Sequence, residues 1–134
     1  MSNLPTFGAY AAAFEEALQD DDWGRLEQYF SPDASYLPGD GTEARGRDAV
    51  LHALRDSVNR LERKSDTRDL LGEPELSETG DSITLKFCIR YTRQGLPDLT
   101  LSGREIAHFS NGSIVKIEDV FDDPSGFMDW RNKL

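Results

Sequence analysis

Ile83-Thr84-Leu85-Lys86-Phe87-Cys88-Ile89-Arg90-Tyr91-Thr92 alternates apolar and polar side chains without a break, the period of two that marks a strand with one buried face. The stretch is bounded upstream by Glu78–Asp81, whose Thr-Gly-Asp step is a hairpin turn, and downstream by the turn Gln94-Gly95-Leu96-Pro97-Asp98. Leu99 to Phe109 continues as a second strand. Ser110-Asn111-Gly112 carries Asn-Gly, a strong two-residue hairpin signal, and leads into a last strand from Ile114 to Phe121. Asp123-Pro124-Ser125-Gly126 ends it, leaving a tail over 124–134. Upstream of this meander, Thr67 to Leu71 and Leu76 read as a weak, broken strand.

The N-terminal half has a different period. Phe7, Tyr10, Ala11, Phe14, Ala17 and Leu18 recur at spacings of three and four, predicting a helix over Thr6 to Gln19. Asp20-Asp21-Asp22 interrupts it. Trp23, Leu26, Tyr29 and Phe30 give a second short helix an apolar face, ended by Ser31-Pro32, because the residue before proline avoids the helical region. Ala34 to Leu37 is a short strand, and Pro38-Gly39-Asp40-Gly41 a turn. Gly46-Arg47-Asp48 opens a third helix reaching about Arg63, with Val50, Leu54, Val58 and Leu61 on one side. Helices followed by hairpin-linked strands define an α+β fold in which the helices cover one sheet face.

The 134 residues fit one domain, with the core spanning about 7–123. A net charge of −10 opposes binding to nucleic acid or to an anionic membrane surface. Lone Cys88 has no internal disulfide partner, and two His with one Cys cannot make a structural zinc site. No Ser-His-Asp set, phosphate loop or calcium loop is legible, and the Asp20-Asp21-Asp22 run lacks the downstream ligands of the last of these. The chain shows no basic, apolar leader and no run of about 20 apolar residues. The expectation is a cytoplasmic protein without metal or cofactor.

Period two also selects the side chains of each face. Leu101, Gly103, Glu105, Ala107 and Phe109 share one side, as do Ile117, Asp119 and Phe121. Both sets are apolar apart from Glu105 and Asp119, two carboxylates aimed at an apolar interior. Cys88 and His108 fall on the opposite face, His108 as a surface or subunit-contact residue. His52 lies off the apolar stripe of its helix, and Asp33 reads as a turn residue.

Several blocks resemble SnoaL-like proteins of the nuclear transport factor 2-like superfamily: Phe30-Ser31-Pro32-Asp33-Ala34-Ser35-Tyr36 with Gly46-Arg47-Asp48-Ala49-Val50, then Gly103-Arg104-Glu105-Ile106-Ala107-His108-Phe109-Ser110-Asn111-Gly112-Ser113-Ile114-Val115, and Glu118-Asp119-Val120-Phe121-Asp122. The resemblance covers roughly 7–123 and implies three N-terminal helices on a strongly curved antiparallel or mixed sheet, a cystatin-like barrel enclosing a conical pocket. It implies a cofactor-independent acid–base enzyme acting on a small, mostly apolar molecule, with a non-catalytic binding or dimeric module as the alternative. Glu105 falls where ketosteroid isomerases of this superfamily place their oxyanion-stabilising acid, and Asp119 is the second candidate. The proton-shuttling aspartate of those enzymes aligns with Pro38 and their first-helix tyrosine with Phe14. Asp40 and Tyr10 are the nearest substitutes, and steroid isomerisation by the family mechanism is not expected. Tyr10, Phe14, Trp23, Tyr36, Phe87, Ile89, Tyr91, Ala107, Ile117 and Phe121 are the expected ligand contacts. The alternative role for Glu105 is a structural ion pair with Arg90 or with Arg104 of a neighbouring copy. The outward face with Cys88, Arg90, Thr100, Arg104, Ile106 and His108 is a surface for a symmetric homodimer, and the tail, with Phe127 to Trp130, either covers the pocket mouth or docks on a partner subunit.

Overall fold

In a computed structural model describing residues 2–134, α1 spans Leu4–Asp20 and stops where Asp21 enters the left-handed region at φ 61°, its N–H bonding Ala17. A 3-10 helix, Trp23–Tyr29, follows. The expected second helix is therefore a tighter and shorter element than its apolar spacing implied. The strand after it begins at Phe30, not Ala34: β1 is Phe30–Leu37, and Phe30 belongs to the sheet. Pro32 is tolerated there because the pairing between β1 and the last strand is irregular between Phe30 and Ser35, where no ladder N–H is demanded of it. After β2, Ala44–Arg45, α2 runs over Arg47–Arg60 and tightens into a 3-10 turn at Glu62–Lys64.

The remaining strands are β3 Thr67–Leu70, β4 Glu75–Thr79, β5 Ser82–Thr92, β6 Leu99–Ser110 and β7 Ser113–Phe121. They form one curved, unclosed sheet in the order β2-β1-β7-β6-β5-β3, with β4 also on β5. All pairs are antiparallel except β1 with β7, which are parallel and joined in the chain through α2 and the intervening strands. A register shift beside His108 pairs Phe109 with Ile114 while Ala107 pairs with Ile117. This bulge turns Ile114 inward with Ile117, where strict alternation would have put it outside; both are fully buried.

Two apolar clusters fill the interior. The first joins Tyr10, Ala17, Leu26 and Val50 to Ile83, Ala107 and Ile117. The second gathers Leu61, Ile89, Tyr91 and Leu101 around Phe127 and Trp130. The segment read as a tail is thus a structural element: α3, Pro124–Arg131, with Phe127 and Trp130 buried. Asp123 caps it by accepting from the Gly126 N–H at 3.1 Å, and Pro124 occupies the first turn, where its missing N–H costs nothing.

Gly103 marks the closest approach of β6 to β7. A Cβ there would collide with the Val120 carbonyl and sit 3.1 Å from the Phe121 Cα. Gly103→Ala is expected to cost about 1–3 kcal/mol through forced separation of the strands, measured by urea denaturation.

Candidate active site at an acid pair in the cone

Between the helices and the concave sheet face lies a cavity of about 580 Å³. Its walls are apolar side chains of α1, α2 and β5, among them Phe7, Phe14, Leu54, Leu85, Phe87 and Ile89. The polar exceptions come in two groups.

The first group is Glu105 and Asp119, paired directly across the β6–β7 ladder and both lining the cavity. Tyr36, on β1, donates its hydroxyl to Asp119 Oδ2 at 2.6 Å, and Ser57 of α2 lies beside that hydroxyl. Among the described residues, no Lys, Arg or His forms an ion pair with either carboxyl. Arg90 faces Asp69 at 3.9 Å and Arg104 is exposed on the other side, so neither neutralises Glu105 within the chain. Burial pushes Glu105 up to about 7. Burial and the facing Glu105 push Asp119 upward as well, against the Tyr36 hydrogen bond that favours its ionised form. Two like charges held this close cannot both form cheaply, so one proton is shared by the pair near neutrality.

Tyr10 completes this group. Its ring is 2 % exposed, it lines the cavity, and burial followed by the charges of Glu105 and Asp119 raises its ionisation well above normal. It remains a neutral O–H donor, and among the described residues it has no hydrogen-bond partner of its own.

The second group sits where β5 leaves the apolar wall. Tyr91 donates to Glu62 Oε1 at 3.0 Å, and Arg68, its cross-strand partner on β3, reaches Glu15 at 3.4 Å. Burial raises Glu62 despite the Tyr91 hydrogen bond and the Arg68 charge.

Seven of the ten expected ligand contacts line the cavity: Tyr10, Phe14, Tyr36, Phe87, Ile89, Tyr91 and Phe121, the last edge-to-face with Phe87 at 6.4 Å. Ala107 and Ile117 do not. Both are fully buried where the sheet packs directly on the helices, and a face shared along a strand passes from cavity wall into solid core. Trp23 is also displaced: its ring packs against Phe14 at 5.6 Å and its indole N–H donates to Asp21 at 2.7 Å, in the core behind the cavity wall. Asp40 is not brought to the acid pair. Its side chain is enclosed by Thr42, Arg131 at 3.5 Å and Arg60 at 3.7 Å. Burial raises it, but Thr42 and Arg131 outweigh that and hold it ionised below its usual range. Through Arg131 it anchors α3. Pro38 lines the cavity beside the acids.

Glu62, Arg68 and Arg131 also line the cavity, at positions that neither the helical nor the strand period marks as inward. Glu62 and Arg68 flank the α2–β3 connection, where no period operates. Arg131 had a usable signal, since Asp123-Pro124 is a helix start as well as a strand end.

The sequence contains no triad motif, yet the sheet assembles a relay on its outer face. Ser82 Oγ lies 3.0 Å from His108 Nδ1, and His108 Nε2 lies 2.8 Å from Glu118 Oε2. His108 occupies the side opposite Glu105, as its parity predicts. Neither the large cavity nor the small one at Trp23 and His52 reaches this relay.

The class these features define is a helix-capped cone of mixed sheet with an acidic floor, the nuclear transport factor 2-like fold. Solved structures of that fold superpose over nearly the whole chain. An NTF2-like protein of unknown function from Burkholderia pseudomallei is 24% identical, covering 97% of this chain and 98% of its own with a TM-score of 0.68. A candidate SnoaL-like polyketide cyclase from Shewanella denitrificans is 16% identical over 97% and 99%, TM-score 0.65. TerC, co-crystallised with polyporic acid, is 19% identical over 92% and 96%, TM-score 0.64. No protein-family model matches the chain, and no curated protein does. No helix among the described residues is long and apolar enough to cross a membrane.

Proposed function

We propose that the chain is a SnoaL-like small-molecule-binding protein in which Glu105 and Asp119 carry out cofactor-independent acid–base chemistry on a mostly apolar ring ketone. The observation that carries this reading is the acid pair itself: two carboxyls face to face at the floor of an apolar cavity, with no cation among the described residues paired to either. A cavity of this size accommodates a compound of a few rings. That TerC was co-crystallised with a small molecule supports a ligand role for the cone.

With one proton on the pair, its ionised oxygen accepts a proton from the carbon next to the carbonyl. The C–H electrons form a C=C bond, and the carbonyl π electrons move onto oxygen. The protonated partner carboxyl, or the unpartnered Tyr10 hydroxyl, donates a hydrogen bond to that oxygen. A base that titrates near 7 is matched to this task at neutral pH. The expected result is faster exchange of the α-hydrogens of 2-tetralone in D2O, followed by proton NMR, with Glu105→Gln and Asp119→Asn each slowing it by about 10²–10⁴-fold. A carbon-detected titration should place Glu105 near 7.

Pro38 and Phe14 favour the second reading, a non-catalytic ligand carrier, because they occupy the positions of family catalytic groups without titratable or donor chemistry. Binding of 2-tetralone with exchange no faster than buffer would select that reading. Pairing of two copies through the outer sheet face, with His108 and Arg104 in the contact, is a separate proposal that sedimentation equilibrium tests.

A further inference from the structure

We infer that the ligand of this cavity is a neutral ring compound bearing oxygen at both ends, one held by the Glu105–Asp119 pair and the other by Arg68 and Tyr91. The inference rests on the acid-pair reading for its first end only. Along β5, Leu85 stands opposite Glu105, whereas Tyr91 stands opposite Arg68 on the other flank. Six residue steps along the curved β5 separate these positions, and the side chains at both ends line the cavity, so their polar atoms lie closer than the backbone path between them. Phe87 and Ile89 fill the same face between them. The cavity therefore has a polar floor, an apolar middle and a second polar end.

That second end has hydrogen-bonding capacity to spare. Beside its contact with the Tyr91 hydroxyl, the sole ion pair of Arg68 among the described residues is the long one to Glu15, 3.4 Å, and its Nε is buried without a partner. Tyr91 donates to one oxygen of Glu62, and Glu62 lies close enough to add to the upward push on Asp119 without bonding it. The two ends thus address one cavity without bonding to each other.

The charge count sets the ligand's charge. Glu15, Glu62, Glu105 and Asp119 line the cavity against Arg68 and Arg131, and Arg131 is already committed to Asp40 at 3.5 Å. A further carboxylate would enter a site with surplus acid, in a chain of net charge −10. A carbonyl or hydroxyl oxygen takes the Arg68 donors without that penalty.

The test compares three probes by isothermal titration calorimetry at pH 7: 2-naphthol, 2,6-dihydroxynaphthalene and 6-hydroxy-2-naphthoic acid. The diol should bind about tenfold more tightly than 2-naphthol, the worth of one good hydrogen bond, and the acid more weakly than the diol. Arg68→Met and the ring-conserving Tyr91→Phe should each shrink the diol's advantage, while Glu105→Gln should weaken 2-naphthol and the diol alike. Equal binding of diol and 2-naphthol, tightest binding by the acid, survival of the advantage in both variants, or no binding of any probe would each overturn the inference. The outcomes separate from those of the acid–base reading. Exchange lost in Glu105→Gln with equal naphthol affinities defeats this inference alone. A tenfold diol advantage without 2-tetralone exchange defeats the acid–base reading alone.

Discussion

At pH 8 the Glu105→Gln protein is expected to be more stable than the wild type, and at pH 4.5 the difference is expected to shrink or reverse. The direction follows from proton linkage. Glu105 is held up to about 7 by burial, above the roughly 4.3 of an unfolded glutamate. The folded state therefore keeps a proton that the unfolded state releases. Stability contributed by that proton is complete below the unfolded value and is lost as pH rises through the folded one. A displacement of this size corresponds to on the order of 3 kcal/mol, lost between about pH 4.5 and above 7. Glutamine keeps the shape and a donor for Asp119 but removes the ionisation. Carboxylates that gain stability on ionising, such as Asp40 and Glu118, are common to both proteins and cancel in the comparison. Urea denaturation of the two proteins at half-unit steps from pH 4.5 to 8.5 measures the difference. Parallel stability curves would mean that Glu105 is solvated, and the acid pair would lose its role.

Trp130→Ala should be the most damaging single truncation, costing about 3–5 kcal/mol and lowering the melting temperature by roughly 10–20 °C. Trp130 is 5 % exposed. Its indole N–H donates to the Pro97 carbonyl at 2.6 Å, and its ring lies 6.5 Å from that of Tyr91. The change removes a large buried ring and strands a carbonyl in the β5–β6 turn. Through α3 it also loosens two cavity residues: Phe127, whose ring packs tilted against that of Phe121 at 4.5 Å, and Arg131, which lies over the Phe127 ring at 5.1 Å and pairs with Asp40. A melting temperature within a few degrees of wild type would show α3 to be an appendage. Calorimetry or far-UV melting decides this.

The two predictions differ in how far the sequence foretold them. Glu105 was visible as an acid among alternating apolar residues, because alternation is enforced wherever one sheet face is buried. Asp119 was visible for the same reason, and their common parity followed. That they stand directly opposite each other was not legible. Register depends on the Ser110–Gly112 turn together with the bulge beside His108, and a bulge leaves no mark on the periodicity. Trp130 lay in a segment too short for a helical period to declare itself, although Asp123 and Pro124 carried the capping signal.

Local patterning determined the α+β class, the meander and its inward face, since these follow from periods of 3.6 and 2 that any buried side of a helix or strand must obey. Tertiary structure decided which inward residues meet open space. Ala107 and Glu105 share a face, yet one is sealed under the helices and the other lines the cavity, because the distance between helix and sheet varies along the cone. It also decided the partners: Tyr36 on Asp119, Asp40 on Arg131, Tyr91 on Glu62. Each pair joins residues at least 29 positions apart, and no local rule reaches across such a separation.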